Sequence, residues 1–275
     1  MPVTFKNAPL VELIAELRWN PTAQGAQLLE HPSIAAPTFI SMNTTPFEEF
    51  FMRFGANVHQ QGFQRAERVS PAGFPVVAFQ PVFRFRQPPE NNAAVLYQVG
   101  AGLFSANAVP PYRTWNDFVP VVERGVAALL ASRGEEEKNT PFISTSVRYI
   151  DAFRAAITQG QEVAAFIEKS LGISISLPEA LTKNIADGRQ HKPFLQLQLP
   201  MPNDMSMNLG IGEGLANKEP AIIMDTTVVT TMQVAATVND VMCVMHAAHD
   251  AIHRVFFELT ASIQHLMQPA EEKSE

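Results

Sequence analysis

Apolar and polar positions alternate along residues 9–19: Val11, Leu13, Ala15 and Leu17 fall on one side, Glu12, Ile14, Glu16 and Arg18 on the other. A period of two predicts a strand with one buried face. Residues 20–43 are rich in Pro, Ala and Ser and hold no period, so they predict loop, with room for a short helix. The period then changes. Thr45-Pro46-Phe47-Glu48 has the chemistry of a helix start: a capping hydroxyl, a proline in the first turn and a Glu three residues after the cap. Phe47, Phe50, Phe51, Phe54 and Val58 follow on one helical face. Strands are predicted at about 75–87 and 93–106, joined by Pro88-Pro89-Glu90-Asn91-Asn92, which has hairpin-turn chemistry. Thr114 caps a helix to about Ser132, with Pro120 placed to bend its start.

Arg133 to Thr140 is charged and lacks large apolar residues, which makes it the best boundary in the chain. Beyond it the order of elements repeats. Residues 141–153 read as a strand with Ile143, Thr145 and Val147 opposite Ser144, Ser146 and Arg148. A helix at 161–171 stops at Gly172. Residues 194–199 form a strand, Pro200 to Asp204 a turn, and strands follow at about 205–213 and 220–233. Thr237 caps the longest helix, to about Leu266. Phe50, Phe54, Leu197, Ile252, Val255 and Phe256 are the expected buried positions.

Three strings recur in order. Leu17-Arg18-Trp19 returns as Val147-Arg148-Tyr149, Ala106-Asn107-Ala108-Val109-Pro110 as Ala216-Asn217-Lys218-Glu219-Pro220, and Thr114-Trp115-Asn116-Asp117 as Thr237-Val238-Asn239-Asp240. Chance would also produce short matches; the shared order of strands, turns and caps favours repetition. The expected fold is α+β: a duplicated strand–helix–strands–helix unit, with one large curved antiparallel sheet covered by helices on one face, saddle-like. Residues 1–132 would be the first half, 133–140 the linker, and 141–275 the second half, with insertions that include 173–190.

Several motifs carry a resemblance: Asn7-Ala8-Pro9-Leu10-Val11-Glu12, the central Val99-Gly100-Ala101-Gly102-Leu103-Phe104-Ser105-Ala106-Asn107 with Pro110-Pro111-Tyr112, Arg148-Tyr149-Ile150-Asp151, and His253-Arg254-Val255-Phe256. Through them the chain resembles a sporadically distributed, uncharacterised bacterial protein family over nearly its whole length. The resemblance brings no activity or catalytic residue. A patchy distribution implies an accessory role such as phage defence or toxin neutralisation. At the level of architecture alone, the duplicated unit resembles the saddle of the TATA-binding protein.

Composition narrows the classes. The 275 residues are 46% hydrophobic and 17% charged, a globular balance. A net charge of -7 argues against wholesale binding to nucleic acid or a membrane surface. The single cysteine, Cys243, excludes an intrachain disulfide and reads as a buried thiol. Glu12 and Glu16 interrupt the apolar run near the N-terminus, so neither a signal peptide nor a membrane span is expected there, and a cytoplasmic setting is.

Two sets of residues carry candidate chemistry. On the last helix His246, His249 and His253 share a stripe of about 60°, one turn apart, which could hold a divalent metal. The alternative is a set of half-packed boundary histidines. On the polar face of the sheet, Arg18, Arg84, Arg86 and Arg148 stand with Gln196 and Gln198, a set suited to carboxylates or phosphates. The alternative there is an ordinary solvated face in which Arg18 and Arg148 pair with Glu16, Asp151 or another carboxylate. The strings around Gly100-Ala101-Gly102 and Gly210-Ile211-Gly212 lack the pattern of a phosphate loop. The expected function is non-enzymatic binding of a protein partner or an anionic ligand on the polar face, with no required cofactor. A metal-dependent enzyme using the histidines and a nucleic-acid-binding saddle using the arginines are the alternatives.

Overall fold

The computed structural model describes residues 5–21, 39–41, 45–71, 74–89, 94–110, 114–185, 189 and 191–268. Most of the proposed 20–43 loop, Glu90 to Asn92 of the proposed hairpin turn, and Pro111-Tyr112 of the central motif lie outside the described residues. Strand β1 (Leu10–Arg18) and the short β2 (Phe39–Ser41) precede helix α1 (Thr45–His59). Strands β3 (Arg65–Arg68), β4 (Val76–Val77), β5 (Phe83–Arg86), β6 (Val95–Gly100) and β7 (Leu103–Ala108) lead to α2 (Trp115–Ser132). Strand β8 (Ser144–Phe153) is followed by α3 (Ala155–Thr158) and by α4 (Val163–Ala165), which runs into a π-helical turn at Phe166–Ser170. Then come α5 (Glu179–Thr182), β9 (Leu195–Met201), β10 (Met205–Ala216), β11 (Glu219–Thr230) and α6 (Val238–Leu259). A 3-10 turn at Ala261–Ile263 and α7 (Gln264–Met267) end the described chain.

Nine strands form one open antiparallel sheet in the order β3-β5-β6-β7-β1-β8-β11-β10-β9, with β2 and β4 paired separately. The fold is therefore the α+β class that the alternation predicted. Read outward from the central β1–β8 pair, each side runs first strand, last strand, then the strands before it. Thr114 and Thr237 cap α2 and α6 alike, each hydroxyl accepting from the backbone N–H of an aspartate three residues on. Leu17-Arg18-Trp19 and Val147-Arg148-Tyr149 lie at or within the two central strands. The third pair of strings does not match in place. Ala106 to Ala108 close β7, whereas Asn217 and Lys218 form the β10–β11 turn in left-handed backbone.

The alternation decides which face the helices cover. Leu13, Ala15, Leu17, Tyr97, Phe104, Ala106, Val147 and Val228 point into one core with Phe54, Val122, Leu129, Met245 and Ile252 from α1, α2 and α6. Phe153, Leu209, Ile211, Ile222 and Met224 continue the same face into a second core under the short helices. Ile252, Phe50 and Phe54 are buried as expected, but Leu197, Val255 and Phe256 are only half-buried. Leu197 sits on an edge strand with a neighbour on one side only. Cys243 is exposed rather than buried, on the outer side of α6.

The charged stretch after α2 is packed only at its head, at Arg133; Glu135, Glu136, Lys138 and Asn139 are exposed. Arg133 is 6% exposed, with its guanidinium 4.9 Å from the Trp19 ring and 5.0 Å from that of Phe142. Its Nη1 donates to the Thr140 carbonyl at 2.9 Å, while Nε and Nη2 have no hydrogen-bond partner among the described residues. Burial lowers its pKa to about 10.

Candidate functional site

The face that the helices leave open is built by strand register. Opposed residues of an antiparallel pair share a face. Arg18 lies opposite Ser144, Glu16 opposite Ser146, and Ile14 opposite Arg148. Outward on one side follow Ser105 and Asn107, then Gln98, then Arg84 and Arg86, then Glu67 and Arg65. On the other side follow Asp225 and Thr227, then Asn208, then Gln196 and Gln198. The register thus brings Arg18, Arg84, Arg86 and Arg148 to one face. Gln196 and Gln198 stand on the same face at its far edge, exposed and away from the arginines.

The side chains form a connected network. Arg84 donates to Gln98 Oε1 at 3.3 and 3.4 Å and lies 3.6 Å from Glu67. Gln98 donates to Asn107 Oδ1 at 3.4 Å, Ser105 donates to the same oxygen at 2.8 Å, and Asn107 Nδ2 donates to Glu12 at 2.8 Å. Five strands, from β3 to β1, are tied in this way. Ser105 and Asn107 are each 4% exposed, so they lie beneath the longer side chains around them. Their hydrogen bonds offset the desolvation of polar groups held that deeply.

The arginines are largely matched to carboxylates. Arg148 makes a two-pronged contact, Nε to Asp225 Oδ1 at 2.8 Å and Nη2 to Oδ2 at 2.5 Å. Those bonds, with the charges of Asp225, Glu12 and Glu16, raise its pKa against the effect of burial. Arg18 donates to Glu16 at 2.7 Å. Arg86 makes no ion pair among the described residues. Sequence reasoning missed Asp225, Asn107 and Ser105 as members of this face. Alternation along β7 and β11 was the signal that could have placed them.

The histidine stripe lies at the opposite side of the sheet, where α6 meets α2. Trp115 Nε1 donates to His246 Nδ1 at 3.0 Å. An indole N–H can only donate, so the proton of neutral His246 sits on Nε2, the nitrogen left for a metal. His249 stacks on Trp115 with centroids 4.6 Å apart, and its Nδ1 is 2.7 Å from the Tyr149 hydroxyl. Burial lowers the His249 pKa to about 4, and also lowers that of His253, whose ring packs 4.4 Å from Phe257. Among the described residues no group of three or more His, Cys, Asp or Glu side chains is arranged to hold a metal ion. The stripe is an aromatic seam.

A cleft of about 350 Å³ opens between Trp19, Phe47, Phe50, Arg53 and the turn at Gly100-Ala101-Gly102. Asp151, on the covered face, is 3% exposed; burial, then the charge of Asp225, raises its pKa to about 7. No described helix is long and apolar enough to cross a membrane. No family model, curated protein or solved structure matches the chain.

Proposed function

We propose that the chain is a cytoplasmic binding module that docks a protein partner on its open sheet face. The observation that carries this reading is the balance of the face. Arg18, Arg84 and Arg148 are each met by a carboxylate of the chain itself. A polyanion gains affinity from unneutralised cations and released counterions. Here Glu12, Glu16, Glu67 and Asp225 would oppose it. A protein surface of mixed charge instead finds both signs, fixed in position, with Ile14 and Ile150 beside Arg148 as apolar contact. The internal duplication belongs to the same proposal, supported by the matching strand order on the two sides of the central pair. So does the defence or toxin-neutralising role: a toxin held on this face would be silenced by occlusion.

The test is site-specific photocrosslinking in cells. A photoreactive residue at Thr227 or Ser144 should capture one partner, and the same residue at Glu258 on α6 should not. Adducts from the helical side alone would sink the reading. Retention on nucleic acid that weakens steeply with salt would replace it with the saddle alternative.

A further inference from the structure

The two edges of the sheet differ in chemistry. Edge strand β3 reads Arg-Ala-Glu-Arg, a charged edge of the kind that prevents pairing between molecules. Edge strand β9 reads Leu-Gln-Leu-Gln-Leu-Pro-Met and carries no charge. No described backbone group reaches β9 from the side away from β10. Pro200 has no N–H to give, so within the ladder its backbone points outward. Gln196 and Gln198 share that parity and present their N–H and C=O groups at the free edge. Leu199, on the core face, is left 42% exposed.

We propose that β9 pairs antiparallel with β9 of a second copy, joining two sheets edge to edge. The strand is complementary to itself. With Leu197 on the twofold axis, Gln196 of each copy exchanges backbone hydrogen bonds with Gln198 of the other. On the core face Leu195 meets Leu199 of the second copy and Leu197 meets its own equivalent. On the open face glutamine meets glutamine, so no like charges are opposed. Pro200 falls opposite Phe194, at the end of the paired stretch, where its missing donor breaks no interior bond. Moving the axis to Gln198 would set Pro200 against Gln196 inside the ladder. The contact is isologous, so it closes at two copies. It is independent of any partner on the open face.

Sedimentation of the full chain tests the pairing. Wild type should form a dimer. Q196K/Q198K opposes lysines across the axis and should weaken the dimer at least about tenfold, with circular dichroism unchanged. Q196E/Q198E should do the same. Mixing the two variants should restore a dimer containing one chain of each, because each lysine then faces a glutamate. A monomeric wild type would overturn the proposal. So would a dimer indifferent to the lysines, or one that mixing fails to restore.

Discussion

Arg148 and Asp225 stand on adjacent strands, β8 and β11, and join by two parallel N–H···O bonds across the open face. Their side chains remain 44% and 32% exposed, so solvent screens the pair. Asp225→Asn should therefore cost only about 1 kcal/mol of stability in urea unfolding. The larger effect should be on binding. With Asp225 neutral, Arg148 is released to a face that already holds Arg18, and a salt-sensitive affinity for nucleic acid should emerge that wild type lacks. Unchanged nucleic-acid binding in D225N would show that the pair does not set the preference of the face.

A buried carboxyl and a half-buried imidazole should conceal each other in the pH dependence of stability. Asp151 is raised from 3.8 to about 7, so between these values the folded state holds a proton that the unfolded chain has lost. Its contribution to stability is full below pH 4 and is lost as pH rises through 7. His249 is lowered from 6.5 to about 4, so between these values the unfolded chain holds the extra proton. Its contribution grows over that window. Each slope approaches about 1.4 kcal/mol per pH unit, with opposite sign. Asp151→Asn should make stability climb from pH 4 to 6.5, and His249→Gln should make it fall. Parallel pH profiles for the two variants in thermal unfolding would refute the assignment.

The parts of the molecule legible in its sequence were those set by local chemistry. Alternation in β1 and β8 fixed their faces, and Thr114 and Thr237 announced α2 and α6 by the aspartate three residues on. What was not legible depends on strands distant in sequence. Arg148 finds its carboxylate 77 residues away, in a strand whose neighbour only the assembled sheet decides. Arg133 lies in a charged run that reads as a boundary, yet the rings of Trp19, just past β1, and Phe142, just before β8, enclose it. The spacing of the histidines puts them in one stripe of α6, but Trp115 and Tyr149, which engage one nitrogen of His246 and one of His249, come from other elements. The alternation around Leu197 predicts burial, yet the residue is half-buried, because an alternating pattern does not distinguish a strand inside a sheet from one at its edge.

The glycines of the central motif have a structural account that can be tested. A Cβ on Gly100 would lie 1.8 Å from the Gln80 carbonyl oxygen, a contact with backbone that cannot yield cheaply. Gly102 turns the β6–β7 hairpin at φ +71, a conformation that other L-residues adopt at a cost. Gly100→Ala should cost more than about 3 kcal/mol, because the strand must move to admit one methyl group. Gly102→Ala should cost about 1 kcal/mol from backbone strain alone, with further loss from the nearby Trp19 carbonyl. Chemical denaturation that ranks Gly102→Ala as harmless would mean that the turn can change its type.

Two phenylalanines distinguish the core from its margin. Phe54 of α1 is 0% exposed and meets Phe85, Tyr97 and Phe104, with ring centroids between 5.4 and 6.1 Å away. Its removal leaves a cavity that three strands would have to collapse to fill. Phe54→Ala should cost about 3–5 kcal/mol. Phe256, on α6, is only half-buried against the second core. Part of its surface is already wet in the folded state, and truncation there opens the cavity to water rather than sealing a void. Phe256→Ala should cost about 1–2 kcal/mol, since the transfer free energy scales with the apolar area withdrawn from solvent. Equal losses for the two variants in matched urea titrations would place Phe256 inside the core and the outer boundary of the second cluster beyond α6.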